Sequence, residues 1–140
     1  MSIEHSYLHL LERCLSYPVR ETRNAKCHSF FGAFLEHDLS ESFPLLTTKK
    51  VFFRGVLEEL AWFLRGSTNN QELIDRGVQI WNKNAEQYDP ITKVDCGAIY
   101  GFNWRHFGAT YVDCHTDYTD QGVDQIGSII RDIKDSPNSR

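Results

Sequence analysis

The sequence predicts an α/β fold, a two-layer α+β arrangement in which helices dominate, and it predicts that fold as one portion of a larger domain. Three observations carry this expectation. Apolar residues recur every three to four positions in the segments 3–15, Val51–Arg65 and 123–134. A short, aromatic, Gly-containing stretch, Ser29–Asp38, reads as a strand. Strands are then too few to cover a helix as apolar as Val51–Arg65, which needs burial on more than one side.

Taken in order, Ile3, Tyr7, Leu10, Leu11 and Leu15 form the stripe of an amphipathic opening helix, which Pro18 ends. Residues 20–26 are a polar, positively weighted loop. Ser29–Asp38 follows, with Gly32 a candidate bulge. Leu39–Phe43 is a turn, and Pro44 begins the approach to the central helix, which Gly66 stops. Ser67-Thr68-Asn69 offers caps for a short helix over Gln71–Arg76, closed by Gly77. Val78-Gln79-Ile80-Trp81 is a brief apolar piece before a polar stretch through Asp95. Cys96–Phe107 sets Tyr100, Phe102, Trp104 and Phe107 beside Gly97 and Gly101, the composition of tight turns at a concave surface or of a plain core. Residues 108–122 make a polar, Tyr-bearing loop. Val123, Ile126, Ile130 and Ile133 stripe the last helix, and Ser136–Arg140 is a turn signal.

Composition narrows the function classes. A chain of 140 residues makes one domain and buries about two-thirds of its unfolded surface. With 41% hydrophobic and 24% charged residues it has the composition of a globular protein rather than a disordered one. The net charge of −4, without a basic block, gives no electrostatic footprint for nucleic acid. No apolar run approaches the ~20 residues of a membrane span. The first residues lack the basic start and cleavage site of a signal peptide, so the expected location is cytoplasmic. Cys14, Cys27, Cys96 and Cys114 form no CxxC pair and are expected as reduced thiols. His28, His106 and His115 lie near cysteines without zinc-site spacing, and no metal site is expected. Cys114 and His115 are adjacent in a polar loop, where neighbours rarely face each other as nucleophile and base.

One carboxylate stands out. On the helix Val51–Arg65, Arg54, Glu58 and Arg65 line a wet face, with Arg54 and Glu58 spaced to pair. Phe52, Val56 and Phe63 line an apolar face, and Glu59 falls in their row. Burying an ionised carboxylate there costs several kcal/mol unless it is paired, bonded or protonated. Glu59 is therefore either a hydrogen-bond hub or a proton-handling group with a shifted pKa.

The blocks Phe43-Pro44-Leu45-Leu46-Thr47-Thr48-Lys49-Lys50 and Glu59-Leu60-Ala61-Trp62-Phe63-Leu64-Arg65-Gly66-Ser67-Thr68-Asn69 resemble the thymidylate synthase family. So do Ile80-Trp81, the run Tyr100-Gly101-Phe102-Asn103-Trp104-Arg105-His106-Phe107-Gly108-Ala109, and Gln121-Gly122-Val123-Asp124-Gln125-Ile126. They occur in the family's order along nearly the whole chain, and the resemblance covers the N-terminal half of the family's sequence. It implies a thymidylate synthase-like fold, with residues 1–140 as the N-terminal portion of that domain. It also implies reductive methylation of dUMP to dTMP, with 5,10-methylenetetrahydrofolate as carbon and hydride donor, by a homodimer. Glu59 matches the family's catalytic glutamate, and Tyr100 a tyrosine beside the reacting carbon. Phe52, Ile80, Trp81 and Asn84 match positions that line the folate pocket. Arg23 resembles the loop arginine that clamps the dUMP phosphate. Arg140 resembles the first of the arginines that reach to the partner's phosphate. These residue types suit the task, because guanidinium forks bind a phosphate dianion directionally and a flat pterin stacks on tryptophan.

The sequence also departs from the family. Arg23 is followed by Asn24-Ala25-Lys26-Cys27-His28, where many members have a glycine-rich loop, and backbone freedom is lost with the glycines. Asn82 stands where many members have aspartate, and Ala98 where many have proline. None of the four cysteines matches the family's nucleophile in its Pro-Cys-His context, so the chain alone is expected not to turn over dUMP. Two other readings share these residues. One is part of a deoxycytidylate hydroxymethylase, and the other is a non-catalytic remnant that binds nucleotide, RNA or a full-length synthase subunit.

Overall fold

The computed structural model describes residues 3–23 and 25–138, which fall into two compact units, Met1–Val51 and Phe52–Arg140. In the first unit, helix α1 (Ile3–Leu15) leads into a two-stranded antiparallel hairpin, β1 (Val19–Glu21) and β2 (Lys26–His28). Val19 pairs with His28, Arg20 with Cys27 and Glu21 with Lys26. The turn is closed by the Thr22 amide to the Ala25 carbonyl at 2.9 Å and by the Thr22 hydroxyl to the same oxygen at 2.6 Å. These polar residues pair because local hydrogen bonds fix the reversal, not because either strand carries an apolar face. The sequence expectation of a loop at 20–26 and a strand at 29–38 is corrected on both counts. Residues 29–38 pair with no neighbouring strand among the described residues, and Phe31 and Phe34 are exposed. Aromatic content favours extended backbone, but a strand exists only where a partner supplies the ladder. Tyr17 stacks on Phe30 at 5.4 Å, and Glu4 accepts from the Thr47 amide at 2.6 Å and the Thr47 hydroxyl at 2.8 Å.

The second unit is helical. It contains α2 (Phe53–Leu64), α3 (Gln71–Ile74), α4 (Asn82–Tyr88), α5 (Tyr100–His106) and α6 (Gln125–Asp135). Its core is Trp62, Leu73, Val78, Ala85 and Cys96, with Phe63, Trp81 and Ile99 packed against it. Helix α2 ends where Gly66 takes a φ of +77°, a conformation that suits glycine. Helices α2 and α5 meet closely at Gly101. A Cβ there would stand 3.0 Å from both the Cα and the carbonyl oxygen of Phe63. Asp124 caps α6, accepting from the Gly127 amide at 2.9 Å, and also pairs with Arg105 at 3.1 Å.

Helix α4 lies inside the stretch that reads as polar loop. Only Ala85 of its seven residues is buried, so no apolar stripe announces it. The expected Arg54–Glu58 pair is also corrected. Arg54 donates to the Arg76 carbonyl at 2.8 Å, and Glu58 pairs instead with Arg76 at 2.9 Å. A weak exposed helix pair yields readily to a tertiary partner of better geometry.

Two polar features tie the unit together. Asp95, in an isolated bridge with Asn69, accepts from the Gly97 amide at 2.7 Å, the Tyr111 hydroxyl at 2.5 Å and the Cys114 amide at 3.0 Å. Asn70 is 1% exposed, and its side-chain amide donates to Asn82 Oδ1 at 3.0 Å. Its own Oδ1 is buried without a partner among the described residues, an arrangement that costs about 1–3 kcal/mol.

Candidate functional site

Three elements of the second unit converge on Glu59. Helix α2 carries the carboxyl, the residue immediately before α4 is Trp81, and α5 begins at Tyr100. The Trp81 indole Nε1–H donates to Glu59 Oε1 at 2.7 Å. Phe63 joins the rings, with its centroid 5.9 Å from Trp81, 5.4 Å from Tyr100 and 5.6 Å from Trp104, all edge to face. Trp81 and Tyr100 stand 6.1 Å apart at 74°. Such edge-to-face contacts fix ring orientation as well as burying area. The close approach at Gly101 is what lets Tyr100 reach Phe63.

Beside this cluster lies an open cleft of about 310 Å³ lined by Trp81, Asn84, Ala98, Ile99, Tyr100 and Asn103. Asn103 donates to the carbonyls of Ala98 and Ile99, both at 3.0 Å, which holds the start of α5 in place. The cleft thus offers aromatic and aliphatic walls with two side-chain amides, a lining suited to a flat, hydrogen-bonding heterocycle.

Glu59 is half-buried rather than walled in. Phe52 and Val56 of the expected apolar row are 52% and 48% exposed, so within these residues that row is open. What holds the carboxyl is the indole N–H, which the helical pattern of α2 alone does not reveal. Tyr100 is 60% exposed, at the rim. Asn84 lines the same cleft. Ile80 is exposed beside Trp81, and the Phe52 ring lies under the Arg54 guanidinium, 5.4 Å from its centroid. Arg23 belongs to the other compact unit, exposed in the turn between β1 and β2. Arg140 lies outside the described residues. Sequence reasoning did not single out Asn103 and Ile99, although both lie in Cys96–Phe107, the stretch read as tight turns at a concave surface or as a plain core.

Neither cysteine of this unit is a ready nucleophile. Burial, and then the charge of Asp95, push the Cys96 thiol up to about 12. Burial, then Asp95 and Asp113, push Cys114 up to about 11. Both stay protonated at neutral pH, and a protonated thiol attacks poorly. Among the described residues no group of three or more His, Cys, Asp or Glu side chains is placed to share a metal ion. Among them, too, no helix is long and apolar enough to cross a membrane.

The sequence profile of the thymidylate synthase family matches residues 5–140. The chain belongs to the thymidylate synthase family. It is 49% identical to a bifunctional dihydrofolate reductase-thymidylate synthase of Paramecium tetraurelia, over 98% of this chain and 32% of that protein. It is 48% identical to a thymidylate synthase of Equine herpesvirus 2, over 98% of this chain and 50% of the viral protein. The Homo sapiens thymidylate synthase is 48% identical over 80% of this chain and 38% of its own length. The chain therefore spans half or less of these curated relatives. The fold is that of the family, with helices and one small sheet forming part of an α/β domain.

Proposed function

We propose that residues 1–140 form the N-terminal portion of a thymidylate synthase domain, and that they contribute the folate-side wall and the proton-handling carboxyl of its active site. The reaction is the family's, reductive methylation of dUMP to dTMP in the cytoplasm, in a homodimer. The bound 5,10-methylenetetrahydrofolate supplies the carbon and the hydride. The observation that carries this reading is the 2.7 Å hydrogen bond to Glu59 from the indole of Trp81, a residue that also lines the cleft with Asn84 and Tyr100. Trp81 holds and orients the carboxyl through Oε1, and that carboxyl is the group to hold or move a proton. Trp81, Ile80 and Phe52 offer apolar surface to the pterin, and Asn84 offers an amide to its polar edge. Tyr100 stands at the rim for the reacting carbon. Arg23 and Arg140 supply guanidinium donors for phosphate, the latter to a partner subunit.

The chain alone is expected to form no dTMP, because none of its four cysteines matches the family's nucleophile in its Pro-Cys-His context, and the Cys96 and Cys114 thiols stay protonated. Two measurements test the reading. Purified chain incubated with dUMP and 5,10-methylenetetrahydrofolate is expected to yield no product, and any dTMP formed overturns the inactivity. A folate titration followed by tryptophan emission is expected to give weak quenching that Trp81→Phe and Glu59→Gln reduce by about tenfold in affinity. Quenching equal in all three proteins removes Trp81 and Glu59 from the site.

A further inference from the structure

Asn82 has a partner that departs from ordinary core chemistry. Asn70 is buried, yet it is an amide whose oxygen has no partner among the described residues. A position selected for packing alone would hold an apolar side chain. Its backbone is pinned three ways. The Asn70 amide donates to the Val94 carbonyl at 2.8 Å, and its carbonyl accepts from Leu73 at 3.0 Å and Ile74 at 3.1 Å. From that fixed post its Nδ2 reaches Asn82 Oδ1 at 3.0 Å. Asn82 is the first residue of α4, directly after Trp81. The pair borders a cavity of about 230 Å³ lined by Asn70, Ile74, Asn82, Glu86 and Lys93. The bond from Asn70 is the side-chain contact that ties Asn82 to the buried interior.

We infer that Asn70 and Asn82 are a positioning pair for the active site. Asn70 anchors the start of α4 through Asn82, and that start fixes the backbone from which Trp81 aims its indole N–H at Glu59. The inference rests on the Trp81–Glu59 contact of the function proposed above. Neither asparagine lines the cleft of the proposed site; both act through Trp81. A carboxylate at position 82 would still accept from Asn70, whereas an apolar residue at either position would break the link.

The test uses the 15N-labelled 140-residue chain and its three tryptophan indole resonances, with Trp81 assigned by Trp81→Phe. Asn82→Leu and Asn70→Leu are expected to displace the Trp81 indole resonance and to speed exchange of its proton by about tenfold. Asn82→Asp is expected to retain the wild-type signature. The Trp104 resonance, on α5, reports that the fold persists. If Asn70→Leu disturbs Trp104 as well, the half-buried Asn82 carries the decision. A Trp81 signal unchanged in Asn82→Leu, while Glu59→Ala displaces it, overturns the positioning pair and leaves the proposed function standing. A Trp81 signal that Glu59→Ala does not move overturns the contact itself, and both readings fall with it.

Discussion

Tyr111 donates its hydroxyl proton to a buried carboxylate and lies 2.8 Å from the Thr68 hydroxyl. Burial, and then the bond to Asp95, hold its hydroxyl above the usual tyrosine range. Tyr111→Phe is expected to lower stability by about 1–3 kcal/mol, read from urea unfolding, because it leaves part of the Asp95 carboxylate unpaired in a dry site. Residue by residue, the sequence was informative where chemistry and helical pattern disagreed. Glu59 is conspicuous because a charge sits in an apolar row. Asp95 is not, because it lies in a polar stretch and its three donors come from residues two to nineteen positions away. Trp81 reads from the sequence alone as core or pocket, and the resolving fact is a single N–H direction that no spacing encodes.

At the scale of elements, α1, α2 and α6 were legible because each repeats apolar residues over three or more turns. The bounds of α1 stand as read, and the ends of α2 and α6 shift by one or two residues, as at α6, which starts at Gln125 behind its Asp124 cap. Helix α4 was illegible for the opposite reason, having one buried residue and no stripe, and the hairpin because its turn chemistry sits among charged residues. The α2–α5 contact depends on a missing side chain. Gly101→Ala is expected to force those helices apart and to destabilise the fold by about 1–3 kcal/mol. Tyr100 is expected to lose its edge contact with Phe63 as well. Denaturant midpoints and the Tyr100 ring resonances check both. The turn after α4 gives a pH signature. The Thr92 hydroxyl, followed by the Thr92 amide, holds the Asp89 carboxyl down to about 2 from 3.8. A folded value below the unfolded one means stabilisation that is present above pH 3.8 and is lost as pH falls through about 2. Thermal midpoints are therefore expected to drop across that window, and Asp89→Asn is expected to flatten part of the drop.

Across the molecule, apolar faces remain open. Leu57 and Leu60 on α2 and Ile129, Ile130 and Ile133 on α6 are each about half exposed or more. Surface of that kind favours association, so the sedimentation coefficient is expected to rise with protein concentration. The protonated sulfur of Cys96 has a practical corollary. It sits 5% exposed at the centre of the helical unit, so an alkylating reagent meets it only when that unit breathes. The rate of carbamidomethylation at this position, followed by mass spectrometry, is then a built-in clock for local opening. No probe has to be introduced to read it.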